Sequence, residues 1–389
     1  MTIDELAKVN KDYVINLRRE FHENPEASFK EFNTSKRIKE ELDKMGIEYV
    51  SCASTGVVAT IKGNYPGKTV ALRADIDALS VQELNNIEYK SLVPGMMHAC
   101  GHDGHSSMLL GAAKILHALK NELHGTVKLF FQPAEEIGEG AKAMIKDGAM
   151  DNVGSVFGIH LWSNIDVGKI SVEAGPRMAS ADWFSINITG KGGHGSAPHE
   201  CIDALVIASS IVMNLQNIAS RQVDPLHPLV LSIGMLNSGS RFNVIAENAY
   251  MEGTTRCFNL DLRKKLPNMM ENIINNIANG YKAKASLNYN FLLPPTINDT
   301  NASAIAQIAA DKIVGKDKVI KFEKVTGSED FSFYLEKAPG ALAFVGCRNE
   351  EKSACYSHHS GNFNIDEDAL EIGTKLYVHY AIDYLNSNI

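Results

Sequence analysis

Apolar positions along the first part of the chain alternate between helical spacing and short unbroken runs, and that alternation predicts the fold class. Within 31–46, Phe32, Ile38, Leu42 and Met45 fall at helical intervals and the pattern stops at Gly46, a residue suited to the position just past a helix end. This helix is expected to face the core. Short β-branched runs at 57–61 and 69–76 predict strands, the second closing on Arg73, Asp75 and Asp77. Met108, Leu109, Ala112, Ile115, Leu116 and Leu119 predict a helix over 106–123, followed by a buried strand at 126–131, a short helix at 141–146 and a strand at 155–161. Helix and strand taking turns imply an α/β domain with a mainly parallel central sheet flanked by helices. Ahead of it, the first 21 residues read as one amphipathic helix.

From Asp182 the order changes. A strand at 183–189, a helix at 198–219 with proline in its first turn, strands at 229–236 and 249–258, a helix at 260–283 despite Pro267, and a strand at 285–293 make β-α-β-β-α-β. That is the ferredoxin-like order, and it predicts an inserted α+β domain over 182–295 interrupting a first domain made of 1–181 and 296–389. The last helix is expected at 366–385, opening on Asp366, Glu367 and Asp368, which suit the positive end of a helix dipole.

A chain of 389 residues exceeds what one core usually supports, in keeping with two domains. Its 44% hydrophobic and 22% charged residues describe an ordinary globular protein. The net charge of -8, with both signs interspersed, leaves no basic stripe for nucleic acid. No run approaches the roughly 18 apolar residues of a membrane span. Acidic residues from Asp4 onward and the lack of an unbroken apolar stretch do not read as a secretory signal, so a cytoplasmic protein is expected. Cys52, Cys100, Cys201, Cys257, Cys347 and Cys355 show no framework spacing and are expected to be reduced thiols.

The densest chemistry is MHACGHDGH, residues 97–105, which crowds a thiol, three imidazoles and a carboxylate between a loop and a helix. Thiolate and neutral imidazole suit zinc, and less selectively manganese, cobalt or nickel; a capped helix start with solvated histidines is the plainer alternative. In FQPAEE, Glu135 and Glu136 follow a buried strand, where α/β sheets collect ligands. Adjacent side chains there diverge, so one carboxylate can hold metal while the other faces water; a solvated loop explains the pair equally. His160, inside the apolar GIHLW, is either a ligand or a hydrogen-bonded core histidine. His358 and His359 lie in a polar loop that taken alone reads as surface. Asp75 and Asp77, at another strand end, can orient a ligand histidine from behind, although an ion pair with Arg73 serves as well. GKGGHGSAPH, residues 190–199, opens a helix and suits either an anion or a plain turn; it lacks the ending of a nucleotide loop.

In this order, HACGHDGH, QPAEE, GIHLW, GKGGHGSAPH, GSEDFSFY and HHSG resemble the aminoacylase and carboxypeptidase family of dinuclear metallohydrolases, peptidase family M20, over nearly the whole chain. Within it the chain resembles the amidohydrolase subfamily of hippurate hydrolases, indole-acetyl-amino acid hydrolases and N-acetyl-diaminopimelate deacetylases. The resemblance implies that Cys100, His102, Glu136, His160 and His359 bind two divalent ions, zinc foremost, with Glu135 as general base. It implies a catalytic domain with an inserted lid and dimerisation domain, a homodimer, and a His194 that reaches the neighbouring subunit's site to steady an oxyanion. Asn243 and Arg256 match positions that bind the substrate carboxylate, Arg through paired hydrogen bonds. Three positions depart from the family pattern: Arg73 replaces a ligand histidine of the wider family, Gly361 a proline after the last ligand, and Ala246 a proline after Ile245.

The expected activity is hydrolysis of the amide bond of a small N-acyl-L-amino acid, hippurate-like or N-acetylated. A dipeptidase or carboxypeptidase is the nearest rival. A cysteine hydrolase built on Cys100 lacks a triad, and a non-catalytic metal scaffold has no use for Glu135.

Overall fold

The computed structural model describes residues 1–387. The chain divides into two compact units. The first comprises Met1–Gly175, Ile297–Glu323 and the described residues from Asp330 on; the second comprises Pro176–Thr296 and the short return segment Lys324–Glu329, whose membership no helix or strand periodicity marks. Among the described residues no helix is long and apolar enough to cross a membrane.

A seven-stranded sheet forms the first unit, in the order Glu48–Cys52, Gly56–Lys62, His124–Gln132, Tyr65–Asp75, Ser155–Asp166, Gly340–Arg348, Ile170–Ser171. The four central strands, from His124–Gln132 to Gly340–Arg348, run parallel, and both edges are antiparallel. Their residues are apolar almost throughout because helices cover both faces; Val70, Leu72, Leu129, Phe131, Phe157, Leu342 and Phe344 are all fully buried. The helix His102–Ala118 packs against the sheet between Lys11–Glu23 and Asp368–Asn386 and is itself buried on most sides.

Several elements differ from the sequence reading, each for a local reason. The N-terminal helix is two helices, Ile3–Val9 and Lys11–Glu23, broken at Asn10, whose amide Nδ2 donates to the Leu6 carbonyl at 2.8 Å. Phe32 is 63% exposed rather than in the core. Six residues before Ile38, it stands about 120° off the buried stripe of its helix Phe32–Met45. The helix expected over 106–123 starts at His102, because Gly101 at φ +89 makes the turn into it, and ends at Ala118, leaving Leu123 beyond a 3₁₀ turn.

In the second unit the strand order is Leu229–Ser238, Asn248–Cys257, Ala181–Thr189, Lys284–Leu293, antiparallel throughout. The helices Ala204–Asn217 and Leu260–Gly280 pack on this sheet over Phe184, Ile186, Ile188, Met251, Ile211, Leu215, Met270 and Ile274. The helix expected over 198–219 is a 3₁₀ turn, Pro198–Glu200, followed by a separate helix that Asp203 caps by accepting from Leu205 N–H at 2.9 Å. A two-stranded ribbon, Gly193–His194 with Val244–Ile245, was not foreseen.

Candidate metal centre

Strand ends in the first unit bring the site residues together. Gln132 ends its strand level with Asp75 on the neighbouring strand, and the chain then turns through Ala134, at φ +55, into Glu135 and Glu136. His160 lies just past Gly158, the last residue of its strand to pair with Tyr65–Asp75, and pairs with Phe344 on the other side. Cys100 and His102 flank Gly101 at the start of the central helix. His359 sits in a turn at φ +64, and its backbone N–H donates to the Ala99 carbonyl at 2.8 Å, which ties the last loop to the Cys100 loop.

The ligand-type atoms of Cys100, His102 and His160 lie within 4.8 Å of one another, as do those of Cys100, Glu136 and His359. The two trios share one sulfur. A third group joins His102 to Glu135 and Glu136. Cys100 Sγ is 3.6 Å from His160 Nε2, and His359 Nε2 is 3.6 Å from Glu136 Oε2. His102 Nε2 is 3.8 Å from Glu136, 3.9 Å from Glu135 and 3.7 Å from Asp75.

Hydrogen bonds assign the imidazole nitrogens. His102 Nδ1 donates to the Asp77 carbonyl at 2.9 Å, so Nε2 is the nitrogen left to face the cluster. That Nε2 is buried and has no hydrogen-bond partner among the described residues. His160 Nδ1 donates to the Leu161 carbonyl at 2.7 Å, which leaves Nε2 beside the Cys100 sulfur. Imidazoles whose outer nitrogens are anchored to backbone carbonyls keep the other nitrogen aimed at a metal, which they ligate once that nitrogen is unprotonated.

Charge points the same way. Burial alone would lower the His102 pKa, but Asp75, the Asp77 hydrogen bond and Cys100 outweigh it and hold it well above its ordinary value. A pocket that favours a proton at this nitrogen favours a cation there generally. Burial, with Glu136 beside it, pushes the Cys100 thiol well up, so a ligand sulfur requires a divalent ion to displace its proton. The donor set of one sulfur, three imidazole nitrogens and carboxylates fits divalent transition metals.

Other members of the histidine-rich motif turn elsewhere. His105 Nε2 accepts the Leu161 N–H at 2.9 Å, so its Nδ1 donates to Asp75 Oδ1 at 2.6 Å and both nitrogens are spent. Asp75 also accepts from Arg73 at 2.6 Å, the ion pair that was one of its two expected roles; the histidine it hydrogen-bonds is His105, not one of the ligand candidates. Asp103 faces away, bound to Arg18 Nε and His22 Nδ1 at 2.8 Å each. His358 donates through Nε2 to the Leu161 carbonyl at 2.9 Å and accepts from Ser163, and burial pushes its pKa down to about 4. It latches the His359 turn to the strand of His160, a role no motif spacing could show. His98 is fully buried and neither ring nitrogen has a partner among the described residues.

His194, Asn243 and Arg256 belong to the second unit. His194 pairs with Val244 in the short ribbon, and Gly195 N–H donates to the Asn243 carbonyl at 2.9 Å, so His194 and Asn243 are neighbours there. Arg256 reaches Ser328 Oγ at 3.3 Å.

A mainly parallel α/β sheet with thiol, imidazole and carboxylate groups able to hold metal converging at its strand ends, and a further glutamate beside them, is an arrangement suited to a metal-dependent hydrolase. The family model for Peptidase family M20/M25/M40 matches residues 71–383, and the chain belongs to that family as a metal-dependent amide hydrolase. Thermostable carboxypeptidase 2 of Saccharolobus solfataricus is 44% identical over 381 residues, which span 97% of this chain and 96% of its own. The N-acetylcysteine deacetylase of Bacillus subtilis is 39% identical over 376 residues, 96% of this chain and 97% of its own. Among solved structures, a dinuclear metal binding peptidase of the M20 family from Bacillus subtilis superposes with a TM-score of 0.87 at 37% identity, covering 97% of this chain and 99% of that one.

Proposed function

We propose that the chain hydrolyses the amide bond of small N-acyl-L-amino acids, hippurate-like or N-acetylated, to a carboxylic acid and a free amino acid. The observation that carries this reading is the pair of ligand trios sharing the Cys100 sulfur, with the Glu135 carboxylate beside His102. Cys100, His102, Glu136, His160 and His359 would hold two divalent ions, zinc first, with manganese, nickel or cobalt as alternatives. When bound, such ions acidify water and polarise an acyl carbonyl. Glu135 takes a proton from the attacking water and delivers it to the departing amine. His194 donates to the oxyanion, and Asn243 and Arg256 hold the carboxylate of the amino acid half. The guanidinium of Arg256 suits a carboxylate through two parallel hydrogen bonds.

The second unit serves as a ferredoxin-like lid and dimerisation domain in this reading. Its strand Leu229–Ser238 is an edge with exposed Met235 and Leu236, and the helix Ala204–Asn217 exposes Leu205, Val206 and Met213. An unpaired edge beside exposed apolar side chains favours a homodimer through this unit. A cytoplasmic setting suits six unpaired cysteines, one of them a ligand.

A carboxypeptidase reading is favoured by the 44% identity to a carboxypeptidase. Assaying N-acetyl and N-benzoyl amino acids beside dipeptides, with metal-reconstituted protein, separates the two. Faster turnover of the acylated amino acids supports the proposal; exclusive cleavage of dipeptides contradicts it.

A further inference from the structure

Three consecutive backbone N–H groups open the turn that carries the base, and each is held by a carboxylate from another element of the first unit. Ala134 N–H donates to Glu31 Oε1 at 3.0 Å, Glu135 N–H to Asp77 Oδ1 at 3.1 Å and Glu136 N–H to Asp77 Oδ2 at 3.1 Å. With Ala134 at φ +55, successive N–H groups converge into a concave anion cradle, filled here by the protein's own side chains. Glu31 and Asp77 are both fully buried, where a carboxylate is tolerated only when hydrogen-bonded. Glu31 completes its set with Thr55 Oγ1 at 2.6 Å and Phe29 N–H at 2.9 Å, and Asp77 with Ser28 Oγ at 2.7 Å. The backbone carbonyl of Asp77 meanwhile accepts from His102 Nδ1.

We propose that Asp77 is a positioning residue for this centre. Its two oxygens grip adjacent N–H groups and so fix the directions in which Glu135 and Glu136 diverge. Its carbonyl fixes the tautomer and angle of His102. One residue thereby sets the base and two ligands in register. A carboxylate that merely closed a turn would need only one of the two N–H groups; this one grips both, and its Oδ1 also lies 3.4 Å from His102 Nδ1. The inference rests on the reading above, in which Glu135 is the base and Glu136 and His102 are ligands.

The test uses the full chain loaded with cobalt(II), whose visible spectrum follows ligand geometry. Asp77→Asn keeps the shape but turns an NH₂ group toward one of the two N–H donors, so one grip is lost. The expected result is a kcat about 100-fold lower with KM within about threefold, an altered cobalt spectrum, and cobalt affinity about tenfold weaker. Ser28→Ala removes the third donor from the same carboxylate without touching the turn and is expected within about threefold of the parent in kcat. An unaltered cobalt spectrum in D77N, or an equal loss of kcat in S28A, overturns the proposal. Amide hydrogen exchange on the unmodified protein needs no variant to fold. Glu135 and Glu136 N–H are expected to be as protected as the neighbouring strand amides, and rapid exchange at both contradicts the grip. The cobalt and exchange readouts judge Asp77 even if Glu135 proves not to be the base.

Discussion

Glu135 and Glu136 are adjacent in sequence and differ in what they face. Glu136 lies 3.6 Å from the His359 imidazole and shares a ligand trio with Cys100, whereas Glu135 shares none with Cys100 and lies 3.9 Å from His102. Replacing Glu135 by glutamine is therefore expected to leave metal content unchanged and lower kcat by about 10²- to 10⁴-fold, the usual contribution of general acid–base catalysis. Metal analysis beside steady-state kinetics checks this, and near-normal turnover would remove Glu135 from the role. The ligand candidates were legible because sulfur, imidazole and carboxylate crowd into short motifs at strand ends. Their directions were not legible. His102 and His105 stand about one helical turn apart, yet one aims Nε2 at the cluster and the other spends both nitrogens on Asp75 and Leu161. Residue type gives the chemistry available, and only packing tells which nitrogen is left for it. The paired grip of Asp77 escaped notice for the same reason, since the residues it joins lie far apart in the chain.

Elements came through best where composition and spacing agree. The strands Gly56–Lys62, His124–Gln132 and Ser155–Asp166 follow directly from β-branched and aromatic runs. Helix starts came through worst: Gly101 at positive φ and Asp203 as a cap decide where two helices begin, and both compete with plausible neighbours. No periodicity shows what joins one helix to another. Arg18 of the helix Lys11–Glu23 is wholly buried and donates to Asp103 at 2.8 Å in the first turn of the central helix and to Asn364 at 3.0 Å near the last. Burial alone would raise the Asp103 carboxyl, but Arg18 and His22 outweigh it and hold it far below the usual range. Arg18→Met leaves that carboxylate without its guanidinium and is expected to cost about 3 to 5 kcal/mol of folding stability. Denaturant unfolding of the metal-free protein reads it directly; a loss under about 1 kcal/mol would show that the pair does not anchor the ligand helix.

At the scale of the whole chain, the sequence signals a second unit where the alternation of elements changes character near Asp182 and resumes after Pro295, and the second compact unit spans Pro176–Thr296 with Lys324–Glu329. The segment Lys324–Glu329, which belongs to the second unit, has no helix or strand periodicity to signal that membership, although Gly327 to Glu329 open the GSEDFSFY motif. If His194 serves the neighbouring subunit, two inactive variants complement each other. Mixing Glu135→Gln with His194→Ala subunits and letting them reassociate is expected to restore about a quarter of parental activity, because half the dimers then hold one complete site. No recovery, with exchange verified by mass spectrometry, would place His194 in its own subunit's chemistry or in none.

The proposed chemistry depends above all on a pair of divalent ions gathered by residues far apart in the chain. Anomalous X-ray diffraction at the metal edge, from crystals of the zinc-loaded protein, tests this most directly. The expected result is two peaks about 3.5 to 4 Å apart, both in contact with the Cys100 sulfur and flanked by His102, His160, Glu136 and His359. A single peak, or metal bound away from Cys100, would contradict it.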